Sequence, residues 1–323
     1  MTGPVAVSVA LVTYHSERFL PDCLGALPAA LEGVGSWRLV VADNDSRDGT
    51  VELARELAPG ATVLPLGRNA GYATGINAVA AAVPSDAVLV LNPDTRLAPG
   101  SVRRLLDALA EPGTGIAVPR LREGDGSVAR SLRREPTVLR ALGEAVLGGE
   151  RAGRFPALGE VVTHPARYEA PGLADWAVGA VMLVSRRCLD AVGPWDESFF
   201  LYSEETDFCL RARAAGFRLR YVPSAEVVHL GGDSGVSPHL WTVLTTNRVR
   251  LFAKHHGVAR TRGFWAAVVL NEALRAGRRR GTHRAALRAL LPGPRRLVAS
   301  PPATPPAGGS GPAYDTRRSN TST

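Results

Sequence analysis

Residues 90 to 95, V-L-N-P-D-T, place a carboxylate directly after a run of strand-forming residues, where packing alone gives it no purpose. Mg²⁺ and Mn²⁺ prefer oxygen ligands and are commonly held by one or two carboxylates together with substrate phosphates. Asp94 is therefore a candidate ligand for a divalent cation that neutralises a diphosphate leaving group. His229 is a candidate nitrogen ligand, although a strand-end histidine bonded to a neighbouring loop is the simpler explanation.

A second acidic cluster, S-E-E-T-D-F-C-L-R at residues 203 to 211, is typical of a helix start, with a serine near the cap and three acids in the first turn. Asp207 and Arg211 are spaced for an i,i+4 ion pair, which gives Asp207 a structural explanation. Glu205 lies about 100° round the helix from Glu204 and is free for other chemistry. We predict Glu205 as the general base, with Asp207 and Glu204 as alternatives, and expect aromatic surface to raise its pKa. The aromatic residues expected around it are Trp176, Trp195, Phe199, Phe200 and Tyr202.

Two polar loops are candidates for binding a nucleotide. In D-N-D-S-R-D-G-T (43 to 50), Asp43 or Asn44 could hydrogen-bond a base or ribose, although a strand-to-helix turn also explains this composition. G-R-N-A-G-Y-A-T-G (67 to 75) places Asn69 and flexible glycines before a helix, whose first N–H groups can hold a phosphate. This loop matches neither G-x-G-x-x-G nor G-x-x-x-x-G-K-[ST], so the two commonest nucleotide motifs are not supported.

These side chains need a scaffold, and the first 120 residues alternate strand runs with helical patterns. The strand runs occupy residues 5 to 13, 37 to 42, 62 to 66, 87 to 91 and 116 to 119. The alternation predicts a Rossmann-like α/β fold, in which helices cover both faces of a parallel sheet and ligands bind beyond the carboxyl ends of its strands. Turn chemistry explains any one polar strand end, but three on one edge favour a binding site. The polar ends are Thr13, Tyr14 and His15; Asp43, Asn44 and Asp45; and Asn92, Pro93 and Asp94.

The later part of the chain has a different organisation. Residues 121 to 171 break the alternation, and we predict an insertion or a flexible loop there. Order returns with a buried strand at 175 to 184. We divide the chain into a catalytic domain (1 to 237), a basic helical extension (238 to 297) and a disordered, low-complexity tail (298 to 323).

The composition indicates a globular chain. The 323 residues are 45% hydrophobic, which is enough for the core of one or two domains. Three widely spaced cysteines in apolar surroundings predict neither a disulfide framework nor a zinc cluster, and they fit a cytosolic protein. The N-terminal run M-T-G-P-V-A-V-S-V-A-L-V-T lacks a basic region and predicts a strand, not a signal peptide.

The formal net charge of +8 is concentrated near the C-terminal end. Residues 275 to 323 hold ten arginines against one acid, Asp315, which leaves the rest of the chain close to neutral. This asymmetry favours attachment of the tail to an anionic surface such as lipid headgroups or nucleic acid. The simpler alternative is a solvated tail that binds no partner.

Together these stretches resemble the family-two inverting glycosyltransferases of the GT-A fold, in particular the rhamnosyltransferase-like group of bacterial cell-surface polysaccharide synthesis. The resemblance spans residues 5 to 235 and implies a mixed GT-A sheet with helices on both faces. The matching stretches are V-T-Y-H-S (12 to 16), V-V-A-D-N-D-S-R-D-G-T (40 to 50), G-R-N-A-G-Y-A-T-G-I-N (67 to 77), L-N-P-D-T (91 to 95), W-A-V-G-A (176 to 180), D-E-S-F-F-L-Y-S-E-E-T-D-F-C-L-R (196 to 211) and H-L-G-G-D-S (229 to 234).

The resemblance implies a role for each matched residue. Asp94 would hold Mg²⁺ or Mn²⁺ as the last residue of the family's D-x-D element, with His229 as a further ligand, and Glu205 falls at the family's catalytic carboxylate. The donor pocket would be lined by Thr13, Tyr14, Asp43, Asn44, Asn69, Gly71, Asn77 and Asn92. The acceptor would meet Trp176, Trp195 and Glu204. In two departures from the family pattern, Asn92 replaces the first Asp of D-x-D and His15 stands where Asn is usual.

The resemblance implies a single displacement with inversion at the anomeric carbon. We expect dTDP-L-rhamnose as the donor, a UDP-sugar second, and a polyprenyl-diphosphate-linked saccharide or glycan as the acceptor. The enzyme would be cytoplasmic and peripheral on the inner face of the plasma membrane, resting its arginine-rich tail and the apolar stretch 264 to 270 on anionic lipid; no nucleic-acid partner is expected. The alternatives are a nucleotidyltransferase of similar fold, or a non-catalytic basic protein that binds a membrane surface or nucleic acid.

Overall fold

The computed structural model describes residues 5–230, 237–277 and 281–299. Its strands are β1 (Val5–Thr13), β2 (Trp37–Asp43), β3 (Thr62–Pro65), β4 (Ser85–Leu91), β5 (Thr95–Leu97), β6 (Thr114–Arg122), β7 (Leu132–Arg133), β8 (Gly172–Ala174), β9 (Trp176–Ala177), β10 (Val181–Ser185) and β11 (Arg218–His229). Its helices are α1 (Leu20–Ala30), α2 (Thr50–Leu57), α3 (Tyr72–Ala82), α4 (Ser101–Leu109), α5 (Val138–Leu147), α6 (Gly149–Gly153), α7 (Arg186–Val192), α8 (Glu204–Ala214), α9 (Pro238–His255), α10 (Val258–Ala276), α11 (Thr282–Leu290) and α12 (Pro294–Ala299).

One mixed sheet organises the body of the molecule. Within the described residues it has nine strands in the order β3-β2-β1-β4-β10-β6-β11-β5, with β8 paired to β11. The pairs β1–β2, β1–β4 and β2–β3 are parallel, whereas β10 is antiparallel to both of its neighbours, β4 and β6. The five strands predicted in the first 120 residues therefore run in one direction as expected, and the antiparallel β10 between β4 and β6 makes the whole sheet mixed, as the family resemblance implied.

Helices cover both faces of this sheet, as predicted. Alternate residues of β1 point to opposite sides, because successive side chains of a strand alternate. Val9 and Leu11 pack in one cluster with residues of α1 and α4, and Ala10 and Val12 pack in a second cluster with residues of α3 and α8. The two buried layers fix the sheet and therefore the positions of its strand ends.

The prediction of a flexible loop at residues 121–171 is wrong. This segment contains β7, α5 and α6, and β7 pairs with β9 in a small second sheet. The Arg134 guanidinium donates to the carbonyls of Gly153, Gly159 and Val161, at distances of 3.3, 2.9 and 2.9 Å. The Arg134 side chain thus satisfies three carbonyls of irregular backbone that lie 19 to 27 positions later in the chain. No local sequence pattern indicates this contact.

The last four helices form a layer with its own hydrophobic cluster. Phe252 of α9 stacks on Phe264 of α10, with ring centroids 4.1 Å apart, and Leu290 of α11 joins the same cluster. The expected lipid contact of residues 264 to 270 is therefore wrong for Phe264 and Val268, because both are buried inside this layer. The predicted disordered tail falls mainly on residues 300–323, which lie outside the described residues, while Val298 and Ala299 end α12.

The charged tail is also only partly described. Of the ten arginines between 275 and 318, those at 278–280 and at 317 and 318 lie outside the described residues. Arg275 is not a free cation, because its guanidinium donates to the carbonyls of Glu144 and Ala145 at the end of α5. In the part of the chain that is described, no helix combines the length and apolarity needed to cross a bilayer.

Candidate active site

The polar ends of β1 and β2 meet, as predicted. Thr13 and Asp43 are register partners, and the Thr13 hydroxyl donates to Asp43 Oδ1 over 2.8 Å. The Ser46 amide and hydroxyl also donate to the Asp43 carboxylate, at 2.8 and 2.6 Å. Both predicted donor-pocket residues are fully buried, and they close the turn after β2. Their direct contact with a nucleotide stays a prediction.

Asn44 connects this turn to the loop before α3. Its side-chain oxygen accepts from the Ala70 amide at 2.9 Å, and its amide nitrogen lies 3.5 Å from the carbonyl of Gly71. Asn44 therefore shapes the loop that contains the half-buried Asn69. Tyr14, at the end of β1, is 37% exposed and stacks on His15 with ring centroids 4.2 Å apart, so it presents an aromatic surface at this edge.

The segment before α8 has an unusual backbone. Phe200, Tyr202 and Ser203 have φ values of 55°, 65° and 79°, in the left-handed region that non-glycine residues seldom adopt. Such conformations persist only where surrounding contacts enforce them, and they concentrate at functional sites. Ser203 occupies the N-cap position of α8 as predicted, but its side chain makes no capping hydrogen bond within the described structure.

Two neighbours hold this strained segment in place. The Tyr72 amide, at the start of α3, donates to the Phe200 carbonyl over 2.9 Å. Gly71 has a φ of 93°, and a Cβ atom at this position would lie 2.3 Å from the same carbonyl oxygen. The predicted donor-site residue Gly71 is thus required by close backbone packing, which brings the start of α3 against the start of α8.

The third support comes from α9. Asn247 is fully buried, and its amide nitrogen donates to the carbonyls of Phe199, Leu201 and Tyr202, at 2.7, 2.9 and 3.2 Å. One amide therefore satisfies the irregular backbone that precedes the acidic helix. The sequence analysis missed Asn247, because an asparagine inside a long helix carries no local signal of this contact.

The strained segment leads directly into two glutamates, Glu204 and Glu205, whose carboxylates have incomplete hydrogen bonding. Glu204 is 3% exposed and Glu205 is half-buried. One oxygen of each, Oε2, is buried without a hydrogen-bond partner among the described residues. Buried polar atoms are almost always paired in folded proteins, so two unpaired carboxylate oxygens on neighbouring residues indicate a functional group.

Burial raises the pKa of both carboxyl groups. The pKa of Glu204 is raised well above the ordinary value, first by burial and then by the charge of Glu205. Burial also raises the pKa of Glu205, while backbone hydrogen bonds at the helix start partly offset the effect. Glu205 is the more exposed of the two carboxyl groups, which suits it to accept a proton from a bound substrate. A Cβ atom on Gly179 would lie 3.1 Å from Glu205 Cβ, so this glycine gives the side chain its space.

Tyr72 links these two carboxylates to Asp94. Its hydroxyl donates to the Gly179 carbonyl over 3.3 Å. Burial raises the pKa of Tyr72, and the charges of Glu204, Asp94 and Glu205 raise it further. Three acids that span more than 100 positions of the sequence therefore act on one phenol.

Asp94 and His229 form a pair at the next strand ends. The antiparallel register of β5 and β11 brings Asp94 Oδ2 to 3.3 Å from His229 Nε2. Burial by itself lowers the pKa of His229, but the hydrogen bond and negative charge of Asp94 outweigh it and leave that pKa raised. Asp94 Oδ1 is buried without a partner among the described residues. The rest of the H-L-G-G-D-S stretch, at 231–234, lies outside the residues described.

The donor set of this pair suits a hard divalent cation. Among described residues, no group of three or more His, Cys, Asp or Glu side chains converges on one point. A single carboxylate with an unpaired oxygen, beside one histidine, is nevertheless sufficient for Mg²⁺ or Mn²⁺ when substrate phosphates supply further oxygens. Asn92 flanks the pair, and its carbonyl accepts from the Thr95 hydroxyl over 2.6 Å.

The structure argues against Asp207 as a general base, which corrects the alternative kept in the sequence analysis. Its carboxylate is fully buried and lies 2.8, 2.8 and 2.9 Å from Arg211, Lys254 and His255. Burial alone would raise the pKa of Asp207, but hydrogen bonds from these three side chains lower it to about 2. The predicted ion pair with Arg211 is confirmed, and Asp207 anchors α8 to α9.

Two other expected ligand contacts are replaced by packing. Trp195 is 2% exposed and stacks on Phe208 in the core, with ring centroids 4.6 Å apart, so its ring is not presented to an acceptor. Asn77 exchanges two 2.9 Å hydrogen bonds with the Trp195 backbone, which uses the amide expected to bind a donor. Both residues were expected to contact a ligand because they lie in stretches that match the family. In the structure, Asn77 bonds to the Trp195 backbone and the Trp195 ring packs on Phe208.

Trp176 remains at the site together with a residue that the sequence analysis missed. The half-buried Trp176 ring lies beneath Arg133, with the guanidinium carbon 5.8 Å from the ring centroid, and β7 and β9 pair these residues. Burial lowers the pKa of Arg133, and Glu205 is among the carboxylates that offset part of this effect. Arg133 thus brings positive charge from the 121–171 segment to the catalytic candidate.

Comparison with known proteins agrees with this geometry. The family model described as "Glycosyl transferase family 2" matches residues 8–158, and "Glycosyl transferase family group 2" matches residues 87–245. The chain is 37% identical over 235 residues to N-acetylglucosaminyl-diphospho-decaprenol L-rhamnosyltransferase of Mycobacterium tuberculosis, covering 68% of this chain and 75% of that protein. It is 27% identical over 228 residues to the low-salt glycan biosynthesis hexosyltransferase Agl10 of Haloferax volcanii, covering 69% of this chain and 66% of that protein.

The fold also matches a solved structure. The mannosyltransferase PcManGT from Pyrobaculum calidifontis, in complex with GDP-Man and Mn²⁺, superimposes with a TM-score of 0.56 at 16% sequence identity. The match covers 93% of this chain and 82% of that structure. At this identity the likeness concerns the fold, and it confirms the GT-A architecture expected from the sequence.

Proposed function

The chain belongs to glycosyl transferase family 2 and is a glycosyltransferase, and from this premise we propose that it transfers L-rhamnose from dTDP-L-rhamnose to a lipid-linked saccharide, with inversion. Membership of the family sets aside the nucleotidyltransferase and the non-catalytic alternatives. The proposal adds the donor, the acceptor class, the stereochemistry and the roles of individual residues.

The observation that carries the proposal is the set of unpaired carboxylate oxygens around Tyr72. Asp94, Glu204 and Glu205 each bury one oxygen without a partner among the described residues. Leaving such groups unsatisfied costs about 1–3 kcal/mol each, so a fold retains them where a ligand or a proton transfer uses them. One of them follows β4 and the other two begin α8, and together they match a site that binds a charged donor and removes a proton.

Asp94 and His229 are the residues that would hold Mg²⁺ or Mn²⁺. When bound, the cation would supply Lewis-acid stabilisation of the diphosphate that leaves the sugar. The 3.3 Å distance between His229 Nε2 and Asp94 Oδ2 places these two candidate ligands side by side. Since Asn92 stands in place of a second acid, Asp94 is the single carboxylate that this turn offers.

Glu205 is the proposed general base. Its carboxylate takes the proton of the acceptor hydroxyl, the hydroxyl oxygen forms a bond to the anomeric carbon, and the bond from that carbon to the diphosphate oxygen breaks. Attack from the face opposite the leaving group inverts the configuration. Burial supports this role, because it raises the pKa of Glu205 and strengthens the carboxylate as a proton acceptor. Glu204 stays protonated beside it, and Arg133 adds positive charge.

Similarity supports the choice of substrates. The Mycobacterium tuberculosis relative is named for L-rhamnosyl transfer to N-acetylglucosaminyl-diphospho-decaprenol, and it shares 37% of its aligned residues with this chain. We therefore propose a polyprenyl-diphosphate-linked saccharide as the acceptor. A membrane-bound acceptor of this kind would place the enzyme at the inner face of the plasma membrane, where anionic lipid is its third partner.

Thermal unfolding in the presence of nucleotide sugars tests the proposal. The melting temperature of the full chain is measured with dTDP-L-rhamnose, UDP-glucose, UDP-galactose and GDP-mannose, each with and without Mn²⁺. A ligand that binds the native state raises the melting temperature. We expect a Mn²⁺-dependent rise with dTDP-L-rhamnose that is lost in Asp94→Asn.

The matched control is Asp86→Asn, which changes an exposed carboxylate at the opposite end of the same strand, β4. It should keep the full donor response. A larger response to another donor would overturn the rhamnosyl assignment, and an unchanged response in Asp94→Asn would overturn the metal assignment. No response to any donor would overturn the proposed site.

A further inference from the structure

Helices α5 and α10 lie side by side and run in the same direction. Gly263 of α10 lies against Val138 at the start of α5, and Arg275 of α10 reaches the carbonyl of Ala145 near the end of α5. Both helices turn their inner faces toward α9, α5 through the Glu144–Arg248 ion pair and α10 through stacked aromatic rings. Their outer faces therefore point the same way.

The outer faces carry aliphatic side chains at helical spacing. They are Leu139, Leu142, Val146 and Leu147 on α5, and Ala266, Leu270, Ala273 and Leu274 on α10. The leucine and valine side chains are 38% to 68% exposed. Surface helices normally present polar residues to solvent, and contiguous exposed apolar patches mark interaction sites. We call this surface the α5–α10 face.

Its surroundings are strongly basic. Residues 238–299 contain 13 lysines and arginines against one acid, Glu272, which is itself buried. The exposed arginines on or next to α6, α10 and α11 are Arg151, Arg154, Arg260, Arg262, Arg284 and Arg288, and the exposed acid among them is Glu150, which pairs with Arg130. Two copies of this chain packed face to face would bring like charges together, which disfavours a second copy as the occupant. An aliphatic stripe bordered by arginines complements anionic lipid headgroups above an acyl region.

We propose that the α5–α10 face docks the enzyme on an anionic lipid bilayer. The aliphatic side chains enter the boundary between headgroups and acyl chains, and the arginines bind lipid phosphates. This inference rests on the proposed function for its purpose, which is to bring a lipid-linked acceptor to Glu205. The position suits that purpose, because α5 begins five residues after Arg133 and its start therefore lies within about 17 Å of that site residue.

Vesicle flotation tests the docking face. The full chain is mixed with vesicles of phosphatidylcholine alone, or of phosphatidylcholine and phosphatidylglycerol in a 3:1 ratio, and the bound fraction is measured. Four substitutions are combined: Leu142→Gln, Val146→Gln, Leu270→Gln and Leu274→Gln. We expect the full chain to prefer the anionic vesicles, and the combined variant to lose about tenfold or more of its partitioning.

The matched control changes two equally exposed leucines elsewhere, Leu57→Gln and Leu173→Gln, each 43% exposed in the native chain. It should bind vesicles as the full chain does. Circular dichroism and melting temperature check that both variants fold, since substitutions at exposed sites usually change stability by less than about 0.5 kcal/mol.

Several results would overturn the docking proposal. Equal partitioning of the combined variant and the full chain would do so, and so would loss of binding in a chain that ends at residue 299, because the tail would then be the anchor. Light scattering that shows a dimer for the full chain and a monomer for the combined variant would assign the face to a second copy. Vesicle binding needs no donor, so Asp94→Asn should float normally, and failure of the donor assay alone would leave the docking proposal intact.

Discussion

At the level of single residues, three acids within four positions of one helix have different environments. Asp207 is held by Arg211, Lys254 and His255, Glu204 is buried, and Glu205 is half-buried with an unpaired oxygen. Their types are nearly the same, so the surroundings decide which one can transfer a proton. Glu205 alone combines access, a raised pKa and unused hydrogen-bonding capacity among these three.

Removing the carboxylate of Glu205 tests its role directly. We expect Glu205→Gln to lower kcat by about 10²- to 10⁴-fold with little change in donor affinity, because a general base acts mainly in the transition state. Glu204→Gln is the control, and it should cost less than about tenfold, because glutamine resembles the protonated carboxyl group that we assign to Glu204. Steady-state kinetics with a lipid-linked acceptor measure both variants, and a larger effect at Glu204 would reverse the assignment.

The pH profile gives an independent check of the same residue. A general base works in its deprotonated form, so kcat should rise with pH through a pKa that lies above the ordinary value of 4.5 for a glutamate. The acidic limb should disappear in Glu205→Gln. A limb that persists unchanged in this variant would show that another group titrates.

The buried Asp207 makes a separate prediction about stability. Its pKa is lowered from 3.8 to about 2, so its contribution is present above about pH 4 and is lost as the pH falls toward 2. This shift corresponds to about 2 kcal/mol of unfolding free energy. Urea unfolding between pH 5 and pH 2 should show this loss in the native chain and a shallower dependence in Asp207→Asn.

At neutral pH the Asp207→Asn variant should be less stable by about 3 kcal/mol, because Arg211, Lys254 and His255 lose their common partner. Asp107→Asn is the matched control, since its ion pair with Arg103 is exposed and such pairs contribute about 1 kcal/mol or less. Equal losses in the two variants would contradict the anchoring role of Asp207.

At the level of elements, the site depends on contacts between helix starts and one strained segment. The segment before α8 packs against the start of α3 and receives the Asn247 side chain of α9. A backbone that adopts unfavourable φ values needs such support, because without it the residues would relax to commoner conformations. The direction in which Glu205 points is therefore set by residues far from it in the chain.

Substitution of Asn247 tests this support. In Asn247→Ala, three carbonyls lose their donor, and we expect about 1–3 kcal/mol of destabilisation together with a fall in kcat of about tenfold at unchanged donor affinity. The midpoint of the acidic limb should also move to lower pH, because a relaxed segment exposes Glu205 to water and reduces the effect of burial. A purely structural role would leave that midpoint unchanged.

The matched control for Asn247 is Asn271→Ala. The Asn271 amide donates to Glu272 within the helical layer and does not contact the strained segment. It should leave kcat and the pH profile as they are. A comparable loss of kcat in both variants would assign the effect to general destabilisation of the layer.

At the level of the whole molecule, the C-terminal helices are structurally joined to the catalytic body. Besides Asn247, α9 supplies Lys254 and His255 to Asp207, and α10 supplies Arg275 to the end of α5. The layer is itself completed by α11, whose His283 pairs with the buried Glu272 at 2.7 Å. Removing residues 275–323 would therefore break contacts with the body of the molecule as well as removing the basic tail.

Two truncations distinguish these possibilities. A chain ending at residue 277 removes α11 and α12, leaves Glu272 buried without His283 and exposes the cluster around Phe252, so we expect the melting temperature to fall by about 5 °C or more. A chain ending at residue 299 removes none of the described contacts and should keep the melting temperature and the activity of the full chain. Identical behaviour of both truncations would contradict the proposed coupling.

Three features could be predicted without the structure: the strand and helix alternation of the first 120 residues, the family resemblance, and the candidate residues Asp94, Glu205 and His229. These features are local, because hydrophobic periodicity and short motifs depend on neighbouring residues. Sequence reasoning preferred Glu205 but kept Asp207 as an alternative, because the contacts of Asp207 with Lys254 and His255 come from about 50 positions away.

Only the tertiary structure decided the partners that complete the site. Asn247 supports a backbone almost 50 residues earlier, and Arg133 comes from a segment in which no regular pattern is visible. Trp195 and Asn77 were expected to contact a ligand, but they contact other parts of the protein. Which side chains become buried depends on which helices and strands pack together. Hydrogen bonds and ion pairs form across the sheet and between layers, and the same contacts bury side chains. A local sequence pattern does not indicate which distant side chain will make such a contact.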